Sequence, residues 1–411
     1  VRRAVTLRRL LNATVLVAAL GYFVDLFDIT LFGAVRTSSL IALGVKEPAQ
    51  LLEIGVRLFN CQMTGMLLGG LFWGILGDKK GRVTVLYGSI LLYSLANLAN
   101  AFVTNVPAYM LMRFLAGVGL AGELGAAVTL VSENMSKEDR GYGTTIVATL
   151  GMGGSVTAAL AGKYLAWNHA YLLGGVLGLL LLATRARMMD SGMFNSLKDK
   201  KVPLGSVAML LAPKRLPRYL ASIAAGVPIY FITGILLTLA PELTSELHLT
   251  GRVTAPDALF YGSIGLAVGD MASGLLSQGL KSRKKAIALF LVAALGLIHA
   301  YTRARGASPG TLYAICFGLG CCAGFWAVLV TTAAEQFGTN IRSTVATSVP
   351  NFVRGSAILV AMAFVSLKNH FSGIDSVRFL TLACFGLAFA GLWALDETYG
   401  KNLDYLETDA G

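Results

Sequence analysis

Twelve runs of apolar residues, each about 20 long, punctuate this chain and are separated by short polar links. They fall at 13–34, 54–76, 83–103, 108–131, 144–165 and 171–184. After a polar stretch over 185–218 they resume at 219–240, 259–280, 286–302, 311–332, 344–367 and 377–395. Runs of this length predict membrane-crossing helices, six on each side of a central loop. With both chain ends placed in the cytoplasm, roughly 23 Lys and Arg fall inside and roughly 9 outside, a strong positive-inside bias. The pattern predicts an all-α integral membrane protein whose twelve transmembrane helices form two pseudo-symmetric six-helix bundles. The expected bundles are residues 1–184 and 219–411, the second ending in a short cytoplasmic tail.

The two halves echo each other. Gly74-x-Leu76 recurs as Gly274-x-Leu276, with Arg283-Lys284 standing where Arg82 stands after one inserted residue. Glu133 precedes Arg140 by seven positions (140 − 133), and Glu335 precedes Arg342 by the same seven (342 − 335). A repeat of about 200 residues, half the chain, is the mark of two six-helix bundles in parallel pseudo-symmetry.

Composition closes off other classes. Of 411 residues 55% are hydrophobic, only 14% are charged and 47 are glycine, which no soluble domain of this size carries. The net charge of +12 would suit nucleic acid, but the bases sit in alternate loops and follow topology instead, so no nucleic-acid partner is expected. The five cysteines (61, 316, 321, 322 and 384) lie inside apolar runs without metal-site spacing, and the four histidines form no ligand pair, so no metal is expected. Arg2-Arg3 and Arg8-Arg9 before the first apolar run imitate a signal peptide, but two aspartates within that run predict a retained first helix. No nucleotide-binding loop or nucleophile–base constellation is present, which argues against an enzyme or an ATP-driven pump. The central stretch, 185–218, mixes Lys and Arg with the apolar patch 207–211. It reads either as an amphipathic helix on the cytoplasmic surface or as a plain linker, since Gly192, Pro203 and Gly205 interrupt it.

One link stands out. Gly74-Ile75-Leu76-Gly77-Asp78-Lys79-Lys80-Gly81-Arg82 combines an acid, three bases and several glycines between two apolar runs. The glycines let the backbone reverse, and the acid suits a helix N-terminus. On residue types alone this is either a generic basic hairpin or a specific signature. In order, Gly-x-Leu-x-Asp-Lys-x-Gly-Arg resembles the loop 2–3 signature of the major facilitator superfamily of transporters. The resemblance spans nearly the whole chain and implies the major facilitator fold, working by alternating access. Helix 1, from Gly21-Tyr22-Phe23-Val24-Asp25 to Phe32-Gly33, looks like that of the metabolite:H⁺ symporter branch, with Asp25 for the usual glutamate and Leu26 for the usual tryptophan. Helix 4, with Arg113, Gly117, Gly119, Gly122 and Glu123, resembles the same branch, Ala121 replacing a glycine. Glu133 followed by Arg140-Gly141 matches a cytoplasmic motif of that branch and of sugar porters.

Asp25 and Asp28 are one helical turn apart, about halfway along helix 1, where an ionised carboxylate needs a partner or water. They are candidates for proton coupling, Asp28 first; the alternative is a structural ion pair with Arg113 or Arg36. Glu123, ten residues after Arg113 in helix 4, is a further proton-site candidate. In helix 11, Arg354 and Asn351 follow Pro350. Arg354 is either a fork for a substrate carboxylate or the partner of Asp270 in helix 8. Tyr230 and Phe231, between Pro228 and Gly234 of helix 7, either line a cavity or simply pack, and Arg36 is a further candidate substrate contact. The resemblance implies another role for Gly74, Asp78, Arg82, Glu133 and Arg140, with Glu335 and Arg342 in the second half, where Gln278 replaces the acid. Such clusters latch the inner side in one conformational state. Glycine-rich helix 5 lacks the antiporter Gly-Pro pair, which favours symport.

The expected activity is secondary transport of a small polar metabolite (an organic acid, amino acid or zwitterionic osmolyte) by proton symport, with no cofactor beyond the proton gradient. The expected setting is a monomer in a bacterial inner (plasma) membrane. A proton-driven exporter of an organic anion such as a siderophore, or a non-transporting sensor on the same scaffold, are the alternatives.

Overall fold

The computed structural model describes residues 13–136, 140–184, 207–253, 255–368 and 370–407. Among the described residues there is no strand. The helices are α1 (Ala13–Ala42), α2 (Pro48–Lys80), α3 (Arg82–Asn100), α4 (Val106–Leu120), α5 (Glu123–Asn134), α6 (Arg140–Tyr164), α7 (Trp167–Thr184), α8 (Val207–Leu211) and α9 (Leu216–Phe231). A π-helical segment (Ile232–Leu237) continues α9. Then come α10 (Ala240–Ser245), α11 (Ala255–Gly279), α12 (Arg283–Tyr301), α13 (Pro309–Ala323), α14 (Trp326–Glu335), α15 (Arg342–Lys368) and α16 (Gly373–Ala394). Ten spans among the described residues are long and apolar enough to cross a membrane. The 33-residue α2 and the 25-residue α6 stand where the other two expected crossings fall and are long enough to span a bilayer. Most of the central loop, 185–206, lies outside the described residues; its apolar patch forms the single short turn of α8.

Helix ends obey local chemistry. The Asn105 side chain accepts the Ala108 N–H at 2.9 Å and Pro107 follows, starting α4. Ser282, Ser308 and Ser372 cap α12, α13 and α16 in the same way. The reversal between α2 and α3 turns on Gly81, whose φ of +103° is open to glycine and strained for other residues.

Among the described residues, three crossings are interrupted. Helix 4 breaks at Ala121–Gly122, between α4 and α5, and helix 10 at Gly324–Phe325, between α13 and α14. The breaks are 203 residues apart (324 − 121), matching the sequence repeat. In helix 7, Pro228 removes one backbone donor and the helix widens into the π segment directly after Tyr230 and Phe231.

The chain divides into two compact units. The first is Val1–Leu211 with Phe337–Asn351 and Asn402–Gly411; the second is Ala212–Gln336 with Phe352–Lys401. In the first, α1 packs on α6, α2 on α4, and α3 against α4 and α7. The opening turns of α15 press on α2 so closely that a methyl on Gly74 would lie 2.6 Å from the Thr344 Cα. In the second, α11 packs on α13 and α9 on α16. The α2–α4 and α11–α13 pairs are built alike. A methyl on Gly65 would stand 2.2 Å from the Phe114 carbonyl oxygen, and one on Gly265 2.0 Å from that of Phe317. Both pairs close through a glycine seam repeated 200 residues apart (265 − 65).

Candidate functional site

In the first unit all three carboxylates expected to handle protons are fully buried: Asp25 and Asp28 on α1, Glu123 at the start of α5. Of the two bases expected beside Asp28, Arg113 of α4 is the one that faces it, with Nη2 3.6 Å from Oδ2. Arg36 lies instead against Gly55 of α2. The Arg113 guanidinium sits 4.8 Å from the Phe32 ring centroid and 5.7 Å from that of Tyr171. Tyr171 and Tyr109 share a hydroxyl hydrogen bond of 2.6 Å, and Tyr109 and Ser39 another of 3.1 Å. A wall of phenol and guanidinium thus surrounds one side of Asp28. Glu123 accepts a hydrogen bond from Ser89 Oγ at 3.2 Å, placed there by the break in helix 4.

In the second unit Arg354 does not take Asp270. The Asp270 Oδ1 accepts the Ala327 N–H at 2.9 Å and so caps the N-terminus of α14, beside the break in helix 10. Arg354 Nε donates to the Tyr230 hydroxyl at 3.2 Å, and its Cζ lies 5.5 Å from the Trp326 ring centroid. Tyr230 and Trp326 meet edge to face at 5.8 Å. Trp326 is absent from the residues that the sequence singles out; its position just after a glycine in an apolar run is the signal that could find it. Phe231 is fully buried. Asn351, counted in the first unit, donates its amide to the carbonyls of Ala121 at 2.9 Å and Thr347 at 2.6 Å.

Of the residues expected to form a latch, Asp78, Arg82, Glu133 and Arg342 come together in the first unit. Arg82 Nη2 lies 3.0 Å from Glu133 Oε1 and 3.5 Å from Asp78 Oδ1, and also donates to the Thr339 carbonyl. Asp78 accepts three hydrogen bonds from the first turn of α15: Ser343 N–H at 3.0 Å, Thr344 N–H at 2.9 Å and Thr344 Oγ1 at 2.7 Å. It is the acid expected at a helix N-terminus, serving α15 rather than its own hairpin. Arg342 joins this set, 3.1 Å from Glu133, instead of serving Glu335. Glu335 takes Arg283, at 3.4 Å, which repeats the Arg82–Glu133 pair in the second unit. The side chain of Arg140 lies outside the described residues. The extended segment after α16 adds contacts that no motif announces: the Leu403 carbonyl accepts from Arg342 and from Thr339 Oγ1, and Asn340 and Glu407 exchange two hydrogen bonds. Glu397 caps α12, accepting from Ser282 Oγ, from Arg283 N–H at 2.9 Å and from Lys284 N–H at 3.3 Å. Burial by itself would raise the Glu397 carboxyl; these bonds, with one from the Tyr399 N–H, outweigh burial and hold it below the ordinary glutamate value.

Comparison with known proteins fits this geometry. Residues 18–367 match the family described as the Major Facilitator Superfamily. A candidate niacin/nicotinamide transporter, NiaP of Bacillus subtilis (strain 168), is 26% identical over 387 residues, covering 90% of this chain and 93% of that protein. The 3-(3-hydroxy-phenyl)propionate transporter of Escherichia coli (strain K12) is 32% identical over 161 residues, 38% of this chain and 39% of its own. The crystal structure of the E. coli fucose:proton symporter FucP superimposes with a TM-score of 0.74 at 14% identity, over 94% of this chain and 99% of that one, a likeness of fold. The proteins of this family are transporters, not enzymes. Two repeated units of broken, membrane-crossing helices, the loop signature in its bonded form and the family match lead to one conclusion: this chain is an integral membrane protein that belongs to the major facilitator superfamily.

Proposed function

We propose that the protein is a proton symporter of small aromatic carboxylates, with Asp28 as the coupling acid. One observation carries the substrate class: the Arg354 guanidinium lies over the Trp326 ring and donates Nε to the hydroxyl of Tyr230, whose ring meets Trp326 edge to face, beside the π-widened and broken stretches of helices 7 and 10. A fork of N–H donors matches a carboxylate, and flanking rings match a flat aromatic body. Support comes from the full-length relative, a candidate niacin/nicotinamide transporter, and from the 3-(3-hydroxy-phenyl)propionate transporter, whose named substrates are aromatic acids or their amide. In this reading Phe231, fully buried, packs beside the site without ligating.

Coupling follows from the Asp28–Arg113 pair. A proton arriving on Asp28 cancels the charge that holds Arg113, so protonation and the freedom of Arg113 are linked. Asp25 and Glu123 supply further proton sites on the same path. Gly74, Asp78, Arg82, Glu133 and Arg342 act as a latch of alternating access in the first unit, and the Arg283–Glu335 pair plays the like part in the second. The protein works as a monomer in the bacterial plasma membrane with both termini cytoplasmic, driven by the proton gradient alone.

The test is binding of nicotinate against nicotinamide. Arg354→Lys keeps the charge and loses the fork, so it is expected to weaken nicotinate by at least about tenfold, roughly 1.4 kcal/mol, more than nicotinamide. Equal losses for both would remove Arg354 from the carboxylate.

A further inference from the structure

Helix α3 carries a run of buried polar residues that the expected site does not use. On α3, Ser89, Tyr93, Asn97 and Asn100 follow at spacings of four, four and three, and so share one face. All four are buried, whereas Leu91 and Leu95 on the opposite face are exposed, the lipid-facing side of a membrane helix. The stripe touches two of the three buried acids proposed to handle protons, Glu123 and Asp28. Ser89 Oγ donates to Glu123. Asn97 stands with Arg113 at the Asp28 carboxyl and also borders Gly174 of α7. Tyr93 lies between them, its backbone against Gly119 of α4.

Ordinary structural glue does not account for it. Polar residues that hold membrane helices together do so by hydrogen bonds across the interface. Yet both amide atoms of Asn100 are buried without a hydrogen-bond partner, and Asp28, Arg113 and Asn97 face one another only loosely, the charged pair standing at 3.6 Å. Buried donors and acceptors met so incompletely in one place suit bound water.

The geometry points to this face of α3 as a hydrated proton conduit joining Asp28 to Glu123. It rests on Asp28 being the proton carrier proposed above. Asn97 holds water at the Asp28 carboxyl, the Tyr93 hydroxyl relays, and Ser89 delivers to Glu123. Asn100, one turn beyond Asn97, continues the wet stripe towards the end of α3 at which protons enter. From Asn97 to Ser89 is eight residues, about 12 Å of helix, a span that a few waters and one phenol bridge. The step balances simply. The proton leaves Asp28, which returns to a carboxylate paired with Arg113, and arrives on the Glu123 carboxylate, which becomes the acid; no electrons move. Asn97, Tyr93 and Asn100 are positioning residues for water, not substrate contacts.

The experiment uses reconstituted full-length protein with labelled nicotinate, comparing accumulation driven by a pH gradient with exchange across equal pH. Asn97→Leu fills the water site with hydrocarbon; it is expected to cut driven accumulation by at least about tenfold while exchange stays within about twofold. Asn97→Ser, which leaves room for water, keeps both. In wild type, hydroxyl radicals generated by a short X-ray pulse are expected to label Tyr93 although the residue is fully buried. Wild-type accumulation in Asn97→Leu, loss of coupling in Asn97→Ser, or an unlabelled Tyr93 would each overturn the conduit. Asp28→Asn separates the two ideas. If that variant still accumulates substrate, the proton-carrier reading itself falls; if it does not and Asn97→Leu does, only the conduit falls.

Discussion

A carboxylate inside a membrane helix persists only where something offsets its charge, and the guanidinium of Arg113 does this for Asp28 at 3.6 Å. The pair is held loosely, beyond hydrogen-bond distance, and a loose pair is easier to separate by a proton than a bidentate one. Charged residues in apolar runs are legible in the sequence because each is an exception to its surroundings; Asp28, Arg113, Glu123 and Arg354 all stand out. Their partners do not. Choosing between Arg113 and Arg36 needs helix rotation, and Trp326 is apolar in an apolar run. Glu397 escapes notice for the opposite reason, as one acid in a polar tail. Its carboxyl is held below the ordinary value by hydrogen bonds, so its contribution to stability is present above the unfolded-state value and fades as pH falls through the folded one. The melting temperature of purified protein is expected to drop across that acid range, and Glu397→Gln to remove this part of the drop. A variant with an unchanged acid limb would show that the cap carries no such weight.

Among the elements, helix pairs α2–α4 and α11–α13 are set by glycines whose missing side chains admit a neighbouring carbonyl. Gly65→Ala is expected to destabilise by about 1–3 kcal/mol through overpacking. Gly386→Ala in α16, where a methyl would meet nothing within 4 Å, should instead be neutral or stabilise by up to about 1 kcal/mol. Chemical denaturation of both variants checks the contrast, and equal effects would contradict the seam. The start of α15 depends on Asp78 for two backbone N–H groups and a hydroxyl. Asp78→Asn should therefore speed hydrogen exchange at Ser343 and Thr344 by about tenfold or more; unchanged exchange would mean that another group caps the helix. Helix number and rough extent are readable from apolar runs. The breaks in helices 4 and 10 and the glycine seams are not, because glycine in a membrane helix signals a kink, a close contact or nothing at all. The repeat of both features about 200 residues on is the clue that distinguishes these cases.

Across the whole molecule the internal repeat is the most informative feature of the sequence, since two matched halves of a chain require two like units. It also aligns Arg283 with Arg82, and the structure gives both the same kind of partner, Glu335 and Glu133. What the repeat cannot convey is that the first part of α15 and the segment after α16 lie with the first unit, since this follows from packing between segments far apart in the chain. The proposed substrate contacts, Arg354, Tyr230 and Trp326, lie in one unit, and the proposed proton sites, Asp28 with Arg113 and Glu123, in the other. Proton symport is the claim that links them. The most direct measurement encloses a pH-sensitive dye in liposomes carrying the protein and adds nicotinate or 3-(3-hydroxyphenyl)propionate outside, for wild type and Asp28→Asn. The account predicts internal acidification with wild type, its loss in Asp28→Asn, and persistent exchange of preloaded substrate by that variant. Transport without acidification, or acidification that survives Asp28→Asn, would contradict it.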